Sequence, residues 1–297
     1  PNLRLQSNKP NTLNRMSQEL SPIIKPQELI SIQQTPELVI IDASAGPGVR
    51  EKYAAKHLAG ALRIDMESQL ANVGPDASKG GRHPLPDLTQ FAQDLIQIGI
   101  GPDSHVVIYD DKNGANAAAR FWWMLKSIGH AKVQVLDGGI DAAVAAGFPV
   151  SSEVETASTP EKTYDSIQWV LPLSDIEEVK KVAEDDDYIV IDVRDKDRFD
   201  GKVEPIDLIA GHIPGATNIP FTGNLHSNGF YKSPAELKEK YTEALNGREP
   251  DKVIVHCGSG VTACHTLLAM AYADMDIPKL YVGSWSEWSR NDLPMVT

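Results

Sequence analysis

Short apolar runs recur along the chain, and each is followed after a turn by a stretch with helical periodicity. Leu38-Val-Ile-Ile-Asp42, His105-Val-Val-Ile-Tyr-Asp110 and Val133-Gln-Val-Leu-Asp137 are apolar on both alternating sets of positions, as strands covered on both faces are. Between them Leu88 to Ile98 places its apolar residues on one helical face, and Ala115 to Ile128 predicts a second helix. Shorter helical pieces are expected over Glu51 to His57 and Gly138 to Gly147. The stretch from Leu70 to Pro86 carries Gly74, Pro75, Gly80, Gly81 and Pro84 and predicts a loop. Strands alternating with helices predict an α/β fold: a parallel sheet with helices on both faces.

The pattern then repeats. Asp42-Ala-Ser matches Asp192-Val-Arg after the run Ile189-Val-Ile-Asp192, and His57-Leu-Ala-Gly-Ala matches His212-Ile-Pro-Gly-Ala. Val107-Ile-Tyr-Asp110 matches the end of Val255-His-Cys257, and Leu136-Asp-Gly-Gly matches Tyr281-Val-Gly-Ser. Units this large are duplicated domains rather than solenoid repeats, each long enough to bury its own core. The expected organisation is an extension over 1–21, a first domain over 22–150, a linker rich in Ser, Thr and Glu over 151–162, and a second domain over 163–297. The extension is polar and aperiodic, so mobility is expected there, with Met16 as a candidate start.

Candidate chemistry concentrates in Val253-Ile-Val-His-Cys257-Gly-Ser-Gly-Val-Thr-Ala263, followed by helix-forming sequence to Ala271. Cys257 falls between a strand end and a helix start. Gly258 and Gly260 let the turn curl so that successive N–H groups converge. Such a cradle favours an anion, so a thiol held there is expected to be ionised at lowered pKa and open to solvent. A buried core cysteine is the plainer alternative; the flanking glycines favour a nucleophile. In the first domain Asp110 stands where Cys257 stands in the second, and a carboxylate cannot carry sulfur. That copy is expected to be non-catalytic and to form one wall of a cleft.

The loop Cys257 to Ala263 resembles the active loop of the 3-mercaptopyruvate sulfurtransferases of the rhodanese superfamily. Gly211-His-Ile-Pro-Gly215 and Gly283-Ser-Trp-Ser-Glu-Trp288 resemble the same family, in the same order, and the likeness runs from about Ile24 to Pro294. It implies two tandem rhodanese-like domains and an enzyme. Cys257 would take sulfur from a small-molecule donor as a persulfide and hand it to cyanide, a small thiol or a thioredoxin-like acceptor. It also implies backbone donors from Gly258, Ser259, Gly260, Val261 and Thr262, and a proton relay joining Ser259 to His83 and an acid. That acid is Glu67 in one register and Asp65 in another. Arg198 would hold the donor's carboxylate. Arg194 is the other candidate, with a structural role the stronger reading. Relatives often carry a second arginine before the Gly-His-Ile-Pro-Gly turn, where this chain offers only Lys202. No metal or organic cofactor is implied.

Two neighbouring functions are weighed against this. A phosphatase of the Cys-x5-Arg type needs an arginine where Ala263 stands. Thiosulfate sulfurtransferases place cations inside the loop, at the positions of Gly258 and Ser259; a neutral loop suits a monoanionic thiol acid better. A non-catalytic binding module, the remaining alternative, would not need the cysteine. The net charge of −13 argues against nucleic acid. No apolar run is long enough to span a bilayer, and two cysteines suit a reducing, cytoplasmic setting rather than a disulfide scaffold.

Overall fold

The computed structural model describes residues 20–297. Of the extension expected over 1–21, residues 1–19 lie outside the described residues. The first sheet contains β1 (Ile23–Ile24), β2 (Leu38–Asp42), β3 (Leu62–Arg63), β4 (His105–Tyr109) and β5 (Val133–Leu136), in the order β1-β5-β4-β2-β3 with every pair parallel. The second contains β6 (Leu173–Ser174), β7 (Ile189–Asp192), β8 (Thr217–Asn218), β9 (Val253–His256) and β10 (Lys279–Tyr281). Its order is β6-β10-β9-β7-β8, again all parallel. Replacing each strand by its counterpart converts one order into the other, so the duplication seen along the chain is a duplication of topology. His57–Leu58 stays outside the first sheet and pairs antiparallel with Val150–Ser151.

Helix α1 (Leu88–Gln97) starts at Asp87, whose carboxylate accepts from the amides of Thr89 and Gln90 at 2.8 and 3.2 Å. Helices α2 (Ala117–Ser127) and α3 (Thr262–Tyr272) follow the two equivalent strand ends and are buried along nearly their whole lengths. They pack on one another across the domain boundary. Separate cores were the expectation; instead the largest apolar cluster runs through both domains. It joins Phe121, Trp122 and Trp123 of α2 to Leu267, Leu268 and Met270 of α3. Fully burying such side chains contributes about 1.5–3 kcal/mol each, so the two sheets are held in one arrangement rather than hinged on a free linker.

Residues 152–172 form neither helix nor strand, yet they are not loose. Glu155 accepts from the Gly60 amide at 2.9 Å, and Trp169 packs on Phe91 and Trp123 with ring centroids 5.4 and 6.2 Å apart. Among the described residues no helix is long and apolar enough to cross a membrane.

The first domain's counterpart of the cysteine loop is closed by its own side chain. Asp110 is 1% exposed. One of its oxygens accepts from the amides of Lys112 and Gly114 at 2.8 and 2.9 Å, the other from Asn116 and Ala118 at 3.1 and 3.0 Å. A turn that gathers amide donors has been filled from within, which leaves no room for a substrate anion. Asp110→Ala strands these donors, and its cost should be roughly 2–4 kcal/mol of folding stability, with Asp110→Asn costing less. Urea unfolding of the two variants checks this; an alanine variant as stable as the parent would refute the anchoring role.

Candidate active site

Strand β9 is buried at every position and delivers Cys257 to the start of the turn. Three peptide units of that turn are fixed by their carbonyls. Cys257 O accepts from the Trp285 amide at 3.0 Å and Gly258 O from the Ser286 amide at 2.8 Å. Both donors belong to α4 (Ser284–Trp288). Gly260 O accepts from Arg120 Nη1 at 3.1 Å and from Cys264 Sγ at 3.3 Å. In a trans peptide the N–H points opposite to its C=O. The amides of Gly258, Ser259 and Val261 therefore face away from these anchors. None of the amides from Gly258 to Ala263 donates to a protein acceptor among the described residues. They remain available to an anion, next to a helix N-terminus that favours one. Gly260 is required here: its φ is +74°, and a Cβ would stand 2.6 Å from Val282 O.

One expectation needs correcting. Cys257 is not open to solvent but 1% exposed, and it joins the apolar cluster between the domains. The sulfur is covered because side chains from both domains lie over the turn. The point a Cβ on Gly258 would occupy lies 3.3 Å from Arg82 Nη2, 3.4 Å from Arg198 Nη2 and 3.5 Å from Asp207 Oδ2.

The structure brings Ser259, His83 and Glu67 together. His83 Nδ1 lies 2.7 Å from Ser259 Oγ, and His83 Nε2 lies 3.0 Å from Glu67 Oε1. A carboxylate only accepts, so Nε2 carries the proton of the neutral ring and Nδ1 accepts from the serine hydroxyl. Burial pushes the His83 pKa below its ordinary 6.5, with Arg82 and Arg120 adding to the effect and Glu67 opposing it. Asp65, the other candidate acid, is engaged elsewhere. It pairs with Arg63 at 3.0 Å and accepts from the amides of Glu67 and Ser68 and from the Ser68 hydroxyl. It shapes the turn that presents Glu67 and makes no bond to His83.

His83 reaches across because its loop docks on α4. The Gly80 amide donates to Glu287 at 2.7 Å and the Arg82 amide to Ser286 Oγ at 3.0 Å. Gly81 has φ +81°, and a Cβ on it would stand 2.4 Å from Gly283 O. The Gly283–Trp288 segment thus holds the cysteine turn on one side and the histidine loop on the other.

The two candidate arginines part company. Every guanidinium nitrogen of Arg194 is committed: Nε and Nη2 to Asp192, Nη1 to Glu204 and Nη2 also to Gly211 O. Its side chain is 1% exposed and lies over Trp285, so it braces the domain and does not reach the turn. Arg198 does reach it. Nε and Nη2 bond Glu204 at 3.1 and 2.7 Å, and Nη2 also lies 3.3 Å from Asp207. Lys202 pairs with Asp197 and Asp200 at the surface. Cys264, one helical segment on, is buried, and burial pushes its thiol up to about 12.

Sequence reasoning missed Arg82, Asp207 and Arg120. Arg120 is fully buried on α2 with no carboxylate within ion-pair distance among the described residues; it bonds the carbonyls of Gly260, Leu70 and His83. An arginine inside Ala117-Ala-Ala-Arg-Phe-Trp-Trp123 was the available signal, since a charge in so apolar a helix needs a reason.

Comparison with known proteins places this geometry. A family model described as the rhodanese-like domain matches residues 25–146 and again 175–291. The chain is 39% identical to a probable 3-mercaptopyruvate sulfurtransferase of Pseudomonas aeruginosa, over 90% of this chain and 94% of the relative. It is 34% identical to a thiosulfate sulfurtransferase of Mus musculus, over 87% of each. The solved structure of a 3-mercaptopyruvate sulfurtransferase from Leishmania major superposes with a TM-score of 0.75 at 30% identity, covering 90% of this chain and 74% of that one. Matched in both halves and along most of its length, the chain belongs to the rhodanese-like family, with two tandem domains.

Proposed function

We propose that the protein is a sulfurtransferase that takes sulfur from 3-mercaptopyruvate, holds it on Cys257 as a persulfide and passes it to a thiol or to cyanide. The observation that carries this reading is the Ser259–His83–Glu67 chain beside a turn whose amides are unspent. The Cys257 thiolate attacks the donor's sulfur. A sulfur–sulfur bond forms, the carbon–sulfur bond breaks, and its electron pair stays on the carbon as the enolate of pyruvate. Meanwhile the donor's thiol proton passes through Ser259 to neutral His83, where Glu67 stabilises the imidazolium, and returns to the enolate carbon. The products are pyruvate and a persulfide anion facing the amides of Gly258 to Thr262. An acceptor thiolate, from a small thiol or a thioredoxin-like protein, or cyanide then takes the outer sulfur and restores Cys257. Arg198 holds the donor's carboxylate.

Thiosulfate is the second reading, since a thiosulfate sulfurtransferase is among the relatives. Its leaving group is sulfite, which departs without needing a proton on carbon. A relay at this position has work to do only with a thiol acid. The two cysteines are unpaired, which fits a reducing compartment such as the cytoplasm.

Cys257→Ser should abolish transfer and the gain of one sulfur atom in mass after incubation with donor. Retained turnover in that variant would overturn the assignment. The relay needs His83 neutral, and burial holds its pKa below the ordinary 6.5, so the acid limb of kcat/KM for 3-mercaptopyruvate should have its midpoint below pH 6.5. His83→Gln should remove that acid limb and slow the reaction by roughly 10²–10⁴-fold. A limb above pH 6.5, or one that survives in His83→Gln, would assign the titration to another group.

A further inference from the structure

Cys257 and Arg120 are each buried at a cost to the charged form. Cys257 joins an apolar cluster, which disfavours a thiolate. Arg120 is fully buried with no carboxylate within ion-pair distance among the described residues, which disfavours a guanidinium. The same turn brings the two together. Arg120 Nη1 donates to Gly260 O at 3.1 Å, and Nη2 donates at 3.1 Å to the carbonyl of His83, whose ring lies 2.7 Å from Ser259 Oγ. We propose that Arg120, a residue of the first domain, is the counter-charge of the Cys257 thiolate and of the persulfide that replaces it, keeping the sulfur ionised in apolar surroundings. This rests on the reading of Cys257 as the nucleophile of a sulfurtransferase.

Two observations support it. First, no other group claims the charge of Arg120. Its bonds go to three neutral carbonyls, and its Nε meets no acceptor among the described residues. Cys264 donates its S–H to Gly260 O at 3.3 Å, and burial pushes that thiol up to about 12, so it stays neutral. Of the two sulfurs that favour the guanidinium's charge, Cys257 is the one left to ionise. Second, the other groups around the turn do not supply a free positive charge. Arg82 and Arg198 share Asp207, Arg198 also bonds Glu204, and both are partly exposed, where water weakens their field. His83 lies on Ser259, and His256 Nδ1 lies 3.1 Å from Cys257 O; burial lowers both pKa values below 6.5, so both rings are neutral at pH 7. Glu287 of α4 is turned to the Gly80 amide and to Tyr281. A fixed cation also suits the whole cycle. The thiolate, the persulfide and the thiolate regenerated by the acceptor each carry one negative charge on sulfur.

The test titrates the ultraviolet absorbance of the Cys257 thiolate, taken as the difference between a protein and the same protein carrying Cys257→Ser. In Arg120→Gln, which loses the charge but can still donate to a carbonyl, the midpoint should move up by about one pH unit or more. In Arg120→Lys, which keeps the charge and loses the fork, it should lie nearer the parent than Arg120→Gln does. A merely structural Arg120 is disturbed by both substitutions alike. A lysine midpoint level with that of Arg120→Gln, or an Arg120→Gln midpoint level with the parent, overturns the proposal. Turnover gives a second readout. In Arg120→Gln, kcat/KM for 3-mercaptopyruvate should fall at pH 7 and recover as the pH is raised, because base restores the lost ionisation; a loss that base does not recover also overturns the proposal. If Arg120→Gln does not fold, Cys264→Asp carries the test, since Cys264 and Arg120 meet at Gly260 O and a carboxylate there claims the guanidinium's charge. Its midpoint should lie about one pH unit above that of Cys264→Asn, a neutral side chain of the same shape, and equal midpoints in that pair are decisive against the proposal. A protein whose titration responds as expected yet gains no sulfur from 3-mercaptopyruvate refutes the sulfurtransferase reading and leaves the charge pair standing.

Discussion

The whole site depends on the direction in which three peptide groups point. Cys257 O and Gly258 O are held by the amides of α4, and Gly260 O is held by Arg120. Because a planar trans peptide opposes its N–H to its C=O, anchoring the carbonyls aims the amides. This explains why Gly283–Trp288 matters although its own side chains are buried and carry no obvious chemistry. Ser284 accepts the Cys257 amide at 3.1 Å, and the next two amides of that short helix take the next two carbonyls. A cradle built this way is preorganised: no bond within the turn must break before it can stabilise a negative charge.

The same segment positions the Ser259–His83–Glu67 contacts, and on the proposed mechanism this makes the interface between the domains part of the chemistry. His83 belongs to the first domain and Ser259 to the second, yet their side chains meet at 2.7 Å. Such a contact survives only if the domains cannot shift. Two devices hold them, the apolar packing of α2 on α3 and the docking of Gly80, Gly81 and Arg82 on α4. Arg120 adds a third. A buried cation without a carboxylate costs several kcal/mol unless its hydrogens are used. Its carbonyl bonds to Gly260, Leu70 and His83 span the boundary, so its placement ties both halves of the site to one rigid group. Burial lowers its pKa, while the sulfurs of Cys264 and Cys257 work in the opposite direction.

What the chain reveals by itself is local. The strand–cysteine–glycine–helix succession and the duplicated order of elements depend on neighbours in sequence, and both are found as expected over β9, α3 and the two sheets. His83 and Glu67 were within reach of the family resemblance, but choosing Glu67 over Asp65 required seeing that Asp65 is consumed by Arg63 and Ser68. Arg82 and Asp207 stood beyond it. They are 125 positions apart and nothing in either neighbourhood announces the other. The burial of Cys257 was likewise illegible, since it is produced by side chains that arrive from both domains. Sequence pattern reports which face of an element is covered; it does not report which distant loop does the covering.

The two copies of the turn, compared with each other, show what the second one is built to hold. In the first, Asp110 reaches from the strand end and its two oxygens satisfy four amides. In the second, the cysteine side chain is shorter, and six successive amides have no protein acceptor among the described residues. An aspartate oxygen stands two bonds beyond Cβ. The outer sulfur of a cysteine persulfide also stands two bonds beyond Cβ, and as an anion it carries its charge there. The carboxylate of Asp110 is in this sense a fixed likeness of the intermediate. One domain has its acceptor oxygens built in. Its twin leaves the same donors without a protein acceptor, and on the proposed mechanism this is the condition for stabilising the intermediate more than the resting enzyme.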